Sequence, residues 1–128
     1  MSGAIVRNFG ITIDVNDLEL EAAFWRALIG EEPGPIRSGG GWLTVGDLGD
    51  GAMLVLQKVP EPKTVKDRIH LDFRVEDVNE AIARITALGG SQISEPRVGG
   101  GVTMADPEGN EFCIGAFRRS KKGVRTPL

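Results

Sequence analysis

The stretch RIHLDFRVED, residues 68–77, carries the only histidine of the chain, His70, with Asp72 two residues on. A second pair at the same spacing, Glu111 and Cys113, lies in NEFC near the end. Imidazole works as a general base around neutral pH and, when neutral, as a metal ligand. A thiolate together with an imidazole suits zinc. If both pairs lie on strands, period-two geometry turns 70 with 72, and 111 with 113, to a common face. Residues two apart on a strand stand ~6–7 Å apart, which disfavours one ion shared within a pair. The remaining chemistry is polar anchoring of a small molecule, or acid–base work by His70 with Asp72 and Glu111. Cys113 is the only cysteine, so no intrachain disulfide forms, as suits a reducing cytoplasm. No cationic residue stands beside it in the chain, and a small buried residue is expected there rather than a nucleophile.

Positioning these groups requires strands, and the chain supplies them twice. Displaced by 60, ITIDVNDLELEAAFWRALIG (11–30) falls on LDFRVEDVNEAIARITALGG (71–90) without a gap, with six identities in twenty. Ile11, Ile13 and Val15 alternate with Gly10, Thr12 and Asp14, as Leu71, Phe73 and Val75 do with His70, Asp72 and Arg74. Asp17 and Asp77 then stand where N-caps belong. Behind them Leu20, Phe24, Ala27 and Leu28, and in the second copy Val78, Ile82, Ile85 and Leu88, mark apolar helix faces. Gly30 and Gly89-Gly90 end the helices. Shorter strands are expected near Pro35–Arg37, Trp42–Val45 and Met53–Val59, and again near Gln92–Glu95, Val102–Ala105 and Glu111–Phe117. RSGGGW and RVGGGV supply the tight connections, and Asp106-Pro107-Glu108-Gly109-Asn110 is turn chemistry between two antiparallel strands. The fold expected is α+β: two βαβββ modules whose curved mixed sheets surround a concave cup, helices outside. Module 1 spans about 4–59, a linker about 60–67 and module 2 about 68–117, together one domain of 1–117. A basic tail, 118–128, follows with Arg118, Arg119, Lys121, Lys122 and Arg125.

This repeat resembles the vicinal oxygen chelate superfamily of glyoxalases, bleomycin-resistance proteins, fosfomycin-modifying enzymes and extradiol dioxygenases. The likeness is carried by FWRALIG, LQKVPEPKT, HLDFRVEDV and ADPEGNEFCI, and is nearest to the glyoxalase-like branch. Metal-dependent members take one ligand from the start of each module and one from each module's last strand. The resemblance places His70 at the second-module start and Gly10, which has no donor, at the first. MLVLQKV (53–59) has no carboxylate, its polar candidate being Gln57, and Cys113 falls at the terminal carboxylate position. The family's metal site is therefore expected to be lost, with no metal and no cofactor.

The composition is that of an ordinary soluble globular domain. The chain has 128 residues, 41% hydrophobic and 26% charged, with net charge −3 and a pI near 5.2, which suggests no nucleic-acid partner. No apolar run approaches membrane-spanning length and no signal pattern opens the chain, so a cytoplasmic location and no membrane partner are expected. No phosphate-binding loop, dinucleotide fingerprint or nucleophile elbow occurs. Trp42 follows the first glycine cluster, where an indole would stack on a planar ligand. The ligand-binding set expected is Trp42, Gln57, His70, Asp72, Glu111 and Cys113. The function expected is metal-independent binding of a small organic ligand in the cup, sequestering a drug or natural product as bleomycin-resistance binders do. The alternative is a glyoxalase-like lyase or isomerase using His70 with acidic residues or an atypical metal site. A scaffold docking through the basic tail is a third. The resemblance further implies a homodimer.

Overall fold

A computed structural model of the protein describes residues 3, 5–6, 8–34, 41–49 and 51–117. The strand expected at 35–37, most of RSGGGW and the basic tail lie outside them. The described chain divides into two compact units, Met1–Pro62 and Lys63–Leu128. No helix among the described residues is long and apolar enough to cross a membrane.

In the first unit strand β1 (Gly10–Val15) leads into helix α1 (Leu18–Ile29), then β2 (Trp42–Asp47) and β3 (Met53–Lys58). Asp17 caps the helix, its carboxylate accepting from the Leu20 N–H at 3.0 Å. Gly30 ends it at φ 81°, a left-handed backbone that side-chain-bearing residues avoid. The sheet order is β1-β3-β2, with β1 parallel to β3 and β2 antiparallel to it. Crossing from β1 to a parallel neighbour needs a long connection, and the helix lies within it. Leu43, Val45, Leu54 and Leu56 are buried beside Phe24 and Trp25 of α1, whose rings meet edge to face at 5.4 Å. Each such side chain contributes about 1.5–3 kcal/mol of burial. The helix face differs from expectation. Leu20 and Ala27 are exposed, while Leu18, Glu21, Ala22, Phe24 and Trp25 are buried. The bulky pair at 24 and 25 rotates the stripe. Glu21 accompanies it inward, accepting from the Trp25 indole N–H at 3.4 Å.

The second unit repeats the plan: β4 (Leu71–Val75), α2 (Val78–Ala87), β5 (Ser91–Gln92), β6 (Val102–Ala105) and β7 (Glu111–Ala116). Asp77 caps α2 on the Glu80 N–H at 2.9 Å. The sheet order is β4-β7-β6-β5, with only β4 and β7 parallel. Val102, Met104, Phe112 and Ile114 are fully buried, and Phe73 meets Phe112 edge to face at 5.8 Å. Met104 belongs to this core because it pairs with Phe112 and shares its side of the sheet. Strand β5 has two residues rather than four, since Ile93 and Ser94 both bond the single carbonyl of Thr103. The repeat extends to single bonds: the Val59 N–H donates to the Val15 carbonyl, and the Phe117 N–H to that of Val75. The result is α+β, two helices and two mixed sheets.

Candidate functional site

Each sheet has a face away from its helix, and the chemically interesting residues lie on these faces. In the first unit, register places Thr12 opposite Val55, Asp14 opposite Gln57, Trp42 opposite Gln57 and Thr44 opposite Val55. Trp42 is 62% exposed, an unusual state for an indole. It stands with the exposed Gln57 as its cross-strand neighbour and Met53 on the same face. Gly10 begins β1 opposite Met53 and offers no donor atom.

In the second unit the strand pair β4–β7 sets the geometry. Asp72 lies directly opposite Cys113, and Thr103 of β6 opposite Cys113 on the other side. His70 immediately precedes β4 on the side of Asp72, and its Nε2 lies 3.2 Å from Asp72 Oδ1. One donor atom each from His70, Asp72 and Cys113 lie within 4.8 Å of one another. The separation along one strand, which disfavoured a shared ion, does not govern here: Asp72 and Cys113 meet across two strands ~4.8 Å apart. His70 and Asp72, although two apart, lean together. The His70 and Asp72 side chains are 41% and 49% exposed, while Cys113 is buried at 5%.

Two residues that sequence reasoning did not place complete the surroundings. Arg97 donates to Cys113 Sγ at 3.4 Å and to Thr103 Oγ1 at 3.0 Å, and Thr103 Oγ1 lies 3.4 Å from the same sulfur. A cationic neighbour is therefore present, brought from sixteen residues away. The glycine run brings it: Gly99 and Gly100 at φ 94° and 93° fold a turn in which the Arg97 N–H reaches the Gly101 carbonyl. Thr103 was findable from its register with Cys113, but nothing in the sequence marks Arg97. Arg74, two residues beyond Asp72, has a buried Nε with no hydrogen-bond partner among the described residues.

Glu111 has a different surrounding. Its Oε1 accepts from the Asp67 N–H at 2.8 Å, and its own N–H donates to Asp67 Oδ2 at 2.8 Å. Lys63 and Lys66 lie 3.9 and 3.7 Å away. The backbone bond from Asp67 holds its carboxyl below the ordinary glutamate range; burial opposes this, and Lys66 and Lys63 add to it. This clamp ties the connecting segment to β7. The carboxylate of Asp106 is likewise occupied, accepting from the N–H groups of Glu108 and Asn110 and from the Asn110 amide. ADPEGNEF is thus a closed turn.

A strand, a helix and further strands with an open sheet face recur in both halves, as βαββ among the described residues of the first and βαβββ in the second, the pattern of a two-module protein of the glyoxalase-like kind. The glyoxalase-like domain family matches residues 10–115, and the chain belongs to it. Among solved structures it is similar to a glyoxalase-related enzyme from Fulvimarina pelagi, at 21% identity and TM-score 0.64, covering 95% of this chain and 98% of that one. It is also similar to TnmS3, an antibiotic binding protein from Streptomyces sp. CB03234, at 23% identity and TM-score 0.65, covering 89% and 98%. A third is the fosfomycin resistance protein FosX from Listeria monocytogenes, at 24% and TM-score 0.67, covering 91% and 90%. That protein was solved with manganese(II) and a dihydroxypropylphosphonic acid. At such identity these likenesses speak for the fold. No curated protein matches the sequence significantly.

The donor set near Cys113 passes a simple test of fit. Ligands 2.0–2.3 Å from a tetrahedral ion stand about 3.3–3.8 Å apart. Reaching that from 4.8 Å asks for a shift of about 1 Å, within the reach of side chains as exposed as His70 and Asp72. One nitrogen, one oxygen and one sulfur suit a borderline-soft cation.

Proposed function

We propose that this protein binds a small organic ligand on its open sheet faces and sequesters it, a drug or natural product being the class of cargo. The capture does not depend on the family's two-module metal centre. One observation carries the reading: the indole of Trp42 is left in solvent on the open face, opposite Gln57, with Thr44 and Val55 the next cross-strand pair. An exposed aromatic beside an amide on an open sheet face offers a platform for a planar ligand. Gly10 and Gln57 cost a binder nothing. TnmS3, the antibiotic binder, agrees with this reading. We take the working form to be a homodimer in the cytoplasm.

Calorimetric titration with bleomycin and with an anthracycline tests the reading. Trp42→Ala is expected to weaken whichever binds by roughly ten- to a hundredfold, the cost of about 1.5–3 kcal/mol of lost aromatic burial. Mass spectrometry should recover the bound compound unchanged. Failure of both to bind, or equal affinity in the variant, would reject it. The His70–Asp72 pair at 3.2 Å favours a second reading, a lyase or isomerase with His70 as base. Its mark would be a converted ligand, with conversion but not binding lost in His70→Ala.

A further inference from the structure

We infer that the second module alone holds one soft divalent cation, of the zinc class, between His70, Asp72 and Cys113. The inference does not depend on the proposed ligand capture and is tested without any organic ligand.

Three features carry it. The parallel register of β4 and β7 sets Asp72 and Cys113 face to face, and the histidine before β4 leans onto Asp72, so that three different donors converge within 4.8 Å. The donors are a nitrogen, an oxygen and a sulfur, a set that favours zinc over the all-oxygen shells of magnesium and calcium. The sulfur is fixed in place from behind, by Arg97 and Thr103 each at 3.4 Å. Outer-shell hydrogen bonds of this kind orient metal ligands. The exposed sides of His70 and Asp72 leave a path for the ion and a fourth position open. On binding, the 3.2 Å contact between Nε2 and Oδ1 gives way as both turn to the metal.

The arrangement departs from the one the superfamily resemblance implies, where donors come from both modules. Here the first module has Gly10 at one such position and no carboxylate in β3. Asp72 supplies a donor from within the second module instead. The inference is therefore specific about Gln57: the ion does not need it.

Cobalt(II) titration of the full chain, stripped with chelator beforehand, gives a readout independent of any activity. Saturation near one equivalent is expected, with a thiolate-to-cobalt charge-transfer band in the near ultraviolet that zinc abolishes. Cys113→Ser should remove that band. His70→Ala and Asp72→Asn should each weaken binding by roughly tenfold or more, at least the effect of losing an outer-shell partner. Gln57→Ala should change nothing. Circular dichroism of each variant checks the fold, and Asp72→Asn keeps the side chain's shape where a larger change would not. Absence of the band in the folded parent overturns the inference, as does a band that survives Cys113→Ser. Loss of binding in Gln57→Ala equal to that in His70→Ala also overturns it, by making the first module a ligand donor.

Discussion

At the scale of single residues, Cys113 is flanked by Asp72 of β4 on one side and Thr103 of β6 on the other. His70, Asp72 and Cys113 were legible as chemistry because strand alternation puts them on one face. Their convergence was not legible, because it depends on which strand lies beside which. Arg97 was invisible for the same reason. Glu111, expected in the ligand-binding set, is held by Asp67, Lys63 and Lys66 in a clamp. That clamp has a pH signature. A carboxyl held below its ordinary range adds stability above the unfolded-state value, and the addition is lost as pH falls through the lower folded-state value. Glu111→Gln keeps an acceptor for the Asp67 N–H but loses the charge, an expected cost of about 1 kcal/mol at neutral pH. Thermal melts of parent and variant, with chelator present, should converge as pH drops below ~4. A gap that stays constant into acid would mean that the charge of Glu111 contributes nothing.

At the scale of elements, capping and turn residues were the most readable feature, because their chemistry is local. Asp17, Asp77 and the DPEGN turn each act within four residues of themselves. The helix face of α1 was less readable: periodicity selects a stripe, but the volumes of Phe24 and Trp25 decide which way it turns. These two kinds of aspartate also predict different costs. Asp77→Ala removes one exposed cap bond, a loss of about 1 kcal/mol. Asp106 is 2% exposed and its carboxylate takes at least three hydrogen bonds, so Asp106→Ala strands part-buried donors and should cost about 3 kcal/mol. In a domain of this size that lowers the melting temperature by on the order of 10 °C. Equal melting temperatures for the two variants would show that the turn forms without its carboxylate.

At the scale of the whole molecule, the sixty-residue repeat was the strongest signal in the sequence, since two copies of one apolar pattern must fold alike. What it could not give is whether copies of the chain associate. Ile5, Val6 and Phe9 are 100%, 67% and 64% exposed, and they lead directly into β1, the end strand of its sheet. Three apolar side chains beside an edge strand are a surface that proteins usually cover. The proposed homodimer would take this segment into its interface, with the same patch used by both copies, as two-fold symmetry requires. Sedimentation equilibrium at micromolar concentration should then return a mass near twice 13.7 kDa. Phe9→Glu would place a charge in the buried strip and should shift the mass toward the single chain, with the helical circular dichroism signal retained. A parent protein that sediments as one chain would remove the dimer. A variant that stays dimeric would move the interface away from the segment before β1.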